Sequence, residues 1–343
     1  MTILLRSSRA WSAPLHLIRC RFHLSSRSDH TVAHNKIPSA DPRVEGLGDV
    51  IEDQFANIRD KYETPKNPIV LAHGLFGFEE LRLAGHLLPG VQYWRGIKEA
   101  LAANGIEVII TSVPPSASIE QRAERLAADI GRKAAGKSVN IIAGLDSRFM
   151  ISQLKPPNLS VLSLTTIASP HRGSAMADWV FDHIPPNRLP RVYNALDYLQ
   201  VDTGAFDQLT RRYMQEIFNP KTPDREGTRY FGFTMKSLNI KLIVLRQRYF
   251  SYGASVQPSP LSAFRTSHRI IESIEGPNDG LVSVASSKWG AYKGTLLGVS
   301  HLDLINWTNR LRWWIWQMAG NRRTFNAIAF YLDIVDMLAK EGL

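Results

Sequence analysis

The chain has 343 residues, 44% hydrophobic and 21% charged, with a formal charge of +10 and a pI near 9.7. No apolar run approaches the ~20 residues a membrane-spanning helix needs. The basic residues are scattered without a zinc-finger or RNP pattern, which argues against nucleic acid as a partner, and a single cysteine, Cys20, excludes a disulfide framework within one chain.

Part of the positive charge sits at the N-terminus. Residues 1–30 carry Arg6, Arg9, Arg19, Arg21 and Arg27, with no acid before Asp29, and are rich in Ser and Leu. That composition reads as a mitochondrial targeting peptide; a plain basic tail on a cytoplasmic protein is the alternative. Residues 31–66 are polar and irregular, with a short helix expected near Val50–Tyr62.

From residue 67 to 343 the pattern becomes that of one α/β domain. Ile69–Ala72 is a short buried strand, followed by the glycine-rich loop His73–Gly77. Tyr93–Asn104 reads as a helix stopped by Gly105, and Ile106–Thr111 as the next strand. Ser118 and Gln121 form a capping box ahead of Ile119, Ala123, Leu126, Ala127 and Ile130, which recur at helical spacing as far as Gly136. Val139–Ala143 is a strand, Leu145–Leu154 a helix and Val161–Ala168 another strand. Strands alternating with helices at this spacing form a mostly parallel sheet flanked by helices. Ligands of such sheets bind at the carboxyl ends of strands, where His73, Gly144 and Ser169 fall.

From Gly173 to Asn239 amphipathic pieces are broken by Pro185, Pro186, Pro190, Pro220 and Pro223, the pattern of a cap or lid inserted at about 173–260. The sheet is expected to resume near Arg269–Glu272, and the tail from Leu302 reads as helical and rich in Trp: Trp307, Trp313, Trp314 and Trp316. Arg229-Tyr230-Phe231 recurs as Arg248-Tyr249-Phe250. The 232–247 stretch between them is either a genuine strand or sequence foreign to the fold, such as a retained intron.

Three constellations carry chemistry. His73-Gly74-Leu75-Phe76-Gly77 follows a buried strand, where glycines let backbone amides face a cleft and hold an oxyanion. Asp279, in Asn278-Asp279-Gly280, and His301, in Ser300-His301-Leu302-Asp303, come late in the chain, each expected after a strand. An acid and then a histidine in that order match the acid and base of α/β-hydrolases.

The stretches PIVLAHGLFGF, YWRGIKEALAANGIEVIITSVPPSASIEQRAERLAADI, LTTIASPHRGSAMAD, NDGLVS and SHLDLIN resemble the true-lipase family of the Burkholderia and Pseudomonas type. The resemblance covers about residues 67–183 and 268–310. It implies an α/β-hydrolase fold, hydrolysis of triacylglycerols or other carboxylic esters, a lipid ester as partner, a helical lid and peripheral contact with a lipid surface. Leu75 would supply an oxyanion amide, Asp279 the acid and His301 the base. No cofactor is implied beyond a structural calcium near the histidine loop. For that calcium Asp303 matches one carboxylate position, a second carboxylate is not found, and Trp307 replaces a polar neighbour. One aspartate is a poor site for a cation wanting six or more oxygens, so Asp303 is expected to cap the following helix.

The resemblance breaks at one place. The family's nucleophile pattern runs from a strand through Gly or Ala, then His-Ser-x-Gly-Gly-Leu into a helix. Here Ile141-Ile142-Ala143 passes directly to Gly144-Leu145, so the His-Ser-x-Gly elbow is absent between Ala143 and Gly144, and the second oxyanion amide with it. Ser147 matches an ordinary helical position, Ser169 a packing position at a neighbouring strand end, and Ser116 and Ser118 read as turn and cap. The family function is that of a serine ester hydrolase, and the chain as written is expected to be inactive. The rival reading is a non-catalytic lipid- or acyl-binding pseudoenzyme, against which the retained Asp279 and His301 argue. A third is a defective product, which would account for both the absent elbow and the 232–247 stretch.

Overall fold

A computed structural model describes residues 46–74, 80–81, 91–115, 117–183, 203–224, 228–229, 244–245, 247–260, 262, 264–306 and 325–343. The expected targeting segment 1–30, Leu75, Ser116, the four tail tryptophans and most of 232–247 lie outside the described residues. Of that last stretch, Val244–Leu245 pairs antiparallel with Thr228–Arg229.

The core is a sheet of seven parallel strands: β1 (Val50–Ile51), β2 (Ile69–Ala72), β3 (Val108–Thr111), β4 (Ser138–Ala143), β5 (Ser160–Ile167), β6 (Arg248–Ser255) and β7 (Ala291–Leu297). Their order across the sheet is β1-β7-β6-β5-β4-β2-β3. Because successive side chains of a strand point to opposite faces, β2 divides its residues between two cores. Ile69 and Leu71 pack on one face with Trp94, Ile97, Leu101, Phe330 and Val335, drawn largely from helices α1 (Ile97–Ala103) and α6 (Ala327–Lys340). Val70 and Ala72 pack on the other with Ala123, Leu126 and Ile130 of α2 (Ile119–Lys133) and with Met150 and Ile151. Both faces are covered, so the central strands read as near-continuous apolar runs.

The helix starts follow local chemistry. Ser118 caps α2, its Oγ accepting from the Gln121 amide at 3.3 Å, a contact worth about 1 kcal/mol. Helix α3 (Leu145–Phe149) runs on as a π-helical turn, Met150–Leu154, so the expected helix over 145–154 is present with a change of winding. Helices α4 (Ala175–His183) and α5 (Arg265–Glu275), together with a short piece at Arg211–Tyr213, complete the parts used below.

Three expectations need correction. Val50–Tyr62 is not a helix: Val50 and Ile51 form β1, an edge strand paired with Thr295 and Leu296 of β7. Arg269–Glu272 is not strand but the middle of α5, which buries Ser267, His268 and Ile271 at helical spacing. The strand that precedes the Asp279 turn in the sheet is β6, which lies within the range expected for the inserted cap yet is an interior strand of the sheet, between β5 and β7. Its residues Phe250, Ser251, Tyr252 and Ala254 are all buried.

Candidate active site

The strand ends gather the chemistry on one edge of the sheet. The register pairs Ala143 of β4 with Thr166 of β5, so Gly144 and Ser169 leave neighbouring strands side by side. A Cβ built on Gly144 would meet the Ser169 Oγ at 3.3 Å. His301 arrives from the loop after β7, and Asp279 from the turn after α5.

Asp279 and His301 are in contact. The imidazole Nδ1 lies 2.7 Å from Asp279 Oδ2, and the His301 amide donates to the Asp279 carbonyl at 3.1 Å. The other carboxylate oxygen, Oδ1, accepts from the amides of Leu281 and Val282 at 2.9 and 2.8 Å. The Asp279 side chain is fully buried, whereas that of His301 is 29% exposed. Burial alone would lower the His301 pKa, but the charge of Asp279 and its hydrogen bond outweigh it and raise the value above 6.5. A buried carboxylate on Nδ1 places the neutral ring's free lone pair on Nε2. Among the described residues nothing hydrogen-bonds that nitrogen.

His301 borders a cavity of about 240 Å³ whose other walls include Gly144, Ser169, Tyr93, Arg122, Met176 and Leu209. Arg122 is the floor's anchor. Although 1% exposed, it pairs with Asp146 at 2.7 Å and donates to the carbonyls of His73, at 2.9 Å, and Pro114. It therefore ties α2, α3 and the end of β2 into one rim. Tyr93 stays a protonated phenol, its pKa pushed up to about 12 by burial. Burial lowers the pKa of His73, whose Nδ1 lies 3.1 Å from the Gly74 carbonyl. Sequence reasoning singled out neither Arg122 nor Tyr93. The signal was a charged residue on the apolar side of α2, where Ala123 and Leu126 are also buried.

The sequence and the overall architecture have counterparts among known proteins. The sequence is 36% identical to triacylglycerol lipase 2 of Saccharomyces cerevisiae, across 86% of this chain and 97% of that protein. It is 30% identical to a triacylglycerol lipase of Vibrio cholerae, across 71% of this chain and 81% of the relative. The chain belongs to the triacylglycerol lipase family. No family model matches the sequence. In fold it resembles the crystal structures of Staphylococcus hyicus lipase (TM-score 0.55, 18% identity, 83% of this chain and 99% of that one) and Bacillus licheniformis lipase BlEst2 (TM-score 0.52, 17% identity, 77% and 96%).

In this member of the triacylglycerol lipase family, β4 enters α3 through Gly144 alone, which is the N-cap of that helix. The structure brings Asp279, His301, Gly144 and Ser169 together, and it keeps Ser147 away from them. Ser147 is fully buried, and its Oγ has no hydrogen-bond partner among the described residues. Ser169, 7% exposed, faces the cavity, and among the described residues its Oγ makes no hydrogen bond. Ser174, also on the wall, commits its hydroxyl to the Leu281 carbonyl at 3.0 Å.

Asp303, the one carboxylate matched to the implied calcium, is engaged within its own loop, and it opens the turn Asp303–Ile305 instead of capping it as expected. The Asp303 Oδ2 accepts from the Ser300 amide at 3.0 Å and from the Ser300 hydroxyl at 2.6 Å, bracing the turn that carries His301. Among the described residues no three acidic, His or Cys side chains converge on a metal position.

Proposed function

We propose that this chain binds the acyl portion of a lipid carboxylic ester in the cavity beside His301, with His301 as base and Asp279 as its orienting acid. We further propose that its hydrolytic turnover is low because no serine stands between Ala143 and Gly144. One observation carries the reading: the acid–base pair is assembled at the strand ends, while the junction beside it holds only Gly144. The imidazole can accept a proton and the carboxylate can stabilise the resulting cation. Neither supplies the covalent nucleophile of a two-step acyl transfer. Loss of that group in serine hydrolases costs on the order of a millionfold in turnover. The apolar wall, with Leu145, Met176, Leu209 and Val282, supports an acyl chain as occupant. The triacylglycerol lipases related to the chain support a lipid ester as its source.

The test is paired. Calorimetry with a medium-chain fatty acid should show binding, and p-nitrophenyl butyrate should turn over far below the ~10 s⁻¹ typical of enzymes. Turnover near that level that disappears in Ser147→Ala would overturn the reading, as would absence of acyl binding.

A further inference from the structure

Among the described residues, the imidazole of His301 has no hydroxyl hydrogen-bonded to it. Its Nδ1 is held by Asp279 at 2.7 Å, and Asp279 is itself fixed by two backbone amides, so the ring is oriented as in a working acid–base pair. No side-chain hydroxyl among the described residues hydrogen-bonds Nε2. Ser174 is committed to Leu281 and Ser147 is sealed in the core.

Open space borders the β4–α3 junction. A side-chain atom added at Gly144 would meet, among the described residues, a single heavy atom within 4 Å, the Ser169 Oγ. The cavity beside it measures about 240 Å³, several times the ~30 Å³ a water occupies in the liquid. A water needs at least two polar partners to be held. The wall offers His301 and the Ser169 hydroxyl, which has no other hydrogen bond among the described residues.

We infer that in this chain water takes the nucleophile's place: His301, oriented by Asp279, deprotonates a water in the cavity, and that water attacks the ester carbonyl directly. The inference rests on the reading that no serine attacks. In the step, one O–H bond of water breaks and its proton passes to His301 Nε2. The water oxygen forms a bond to the carbonyl carbon, and the carbonyl π pair moves to its oxygen. The carbonyl then reforms, the bond to the alcohol oxygen breaks, and the imidazolium returns its proton to the leaving alkoxide. The products are a carboxylic acid and an alcohol, with no acyl-enzyme between them. General-base assistance of this kind contributes about 10²–10⁴-fold, so the activity is slow and favours esters with good leaving groups.

The experiment uses the full chain and p-nitrophenyl butyrate. Hydrolysis should exceed buffer and fall by about 10²-fold or more in His301→Ala and in the bulkier His301→Gln. It should show no burst of nitrophenol in the first turnover. It should also survive diisopropyl fluorophosphate, with no adduct detected by mass spectrometry. Unchanged hydrolysis in both His301 variants, or a wild-type rate equal to buffer, would overturn the water mechanism and leave the low-turnover reading standing. A serine adduct accompanied by loss of activity would overturn both. The burst and adduct measurements are made on the wild-type chain and decide the matter even where a variant fails to fold.

Discussion

At the scale of single residues, the site is governed by one buried carboxylate. The two amide hydrogen bonds to Asp279 Oδ1 leave Oδ2 for His301. Burial favours the neutral imidazole, and Asp279 reverses that preference. A base must be neutral to act, so His301-dependent hydrolysis should rise with pH through a midpoint above 6.5. Asp279→Asn removes the charge and leaves the burial. The midpoint should then fall below 6.5, and the rate should drop by as much as ~10⁴-fold, as when a triad acid is replaced by its amide. A pH–rate profile of the two proteins checks this; an unmoved midpoint would show that Asp279 does not set the state of His301. The same linkage acts on stability. The contribution of the pair is full below the unfolded histidine value and is lost as pH rises through the raised one.

At the scale of elements, the chain after Ser169 is fastened to the core by interlocking backbone and buried polar groups. Arg148 of α3 reaches Asn219 Oδ1 at 3.0 Å and the Thr222 carbonyl at 3.1 Å, and lies over the Trp289 ring at 3.6 Å. Burial lowers its pKa to about 9. His171 receives Arg148 on Nδ1 at 3.2 Å and places Nε2 2.9 Å from Thr166 Oγ1. That arrangement suits the neutral ring, which burial and the nearby Arg148 and Arg172 favour. On the other side Gly173, at φ +83°, lies so close to the segment at Arg211 that a Cβ would fall 2.6 Å from the Arg211 backbone. Only glycine suits both the left-handed conformation and that approach. Gly173→Ala should therefore lower stability by about 2–4 kcal/mol. Gly105→Ala, at φ +75° but with nothing within 4 Å, should lose only about 1 kcal/mol. Thermal melts of the two variants compare them, and equal losses would show that the close approach to Arg211 carries no weight.

The same elements show what a sequence can and cannot reveal. Strands β2 and β4 are legible because both faces are buried and IVLA and VNIIA are nearly all apolar. Strand β6 is not, since Arg-Tyr-Phe-Ser-Tyr-Gly-Ala-Ser buries small and hydroxyl-bearing residues, with Ser251 bonded to the Trp289 carbonyl at 2.6 Å. The Ile270-Ile271 pair of α5 looks like strand when read alone. Its helical face becomes visible only once the buried Ser267 and His268 are counted with Ile271. Asp279 and His301 stood out because their residue types and order are informative. The Arg148–His171–Trp289 cluster did not, because it is assembled from three separate segments and only tertiary packing joins them.

At the scale of the whole molecule, the parallel sheet and its flanking helices are those of a lipase-family α/β-hydrolase, and the contact between Asp279 and His301 lies at its strand ends. At the junction of β4 with α3 the chain passes through Gly144 alone. The surroundings of that junction remain well formed. Arg122 and Asp146 brace it, the helix beyond it is packed through Met150 and Ile151, and the cavity opens beside Gly144. A scaffold of this kind should accept the family's elbow without rebuilding anything else.

The most direct measurement is therefore to insert His-Ser-Ala-Gly between Ala143 and Gly144 and compare hydrolysis of p-nitrophenyl butyrate with and without the insertion. The nucleophile accounts for up to a millionfold in serine hydrolases, so turnover should rise by on the order of 10³-fold or more, and the gain should vanish when the inserted serine is replaced by alanine. A folded insertion variant, with an unchanged melting transition, that hydrolyses no faster than the original chain would contradict the assignment of this junction and of His301 as its base.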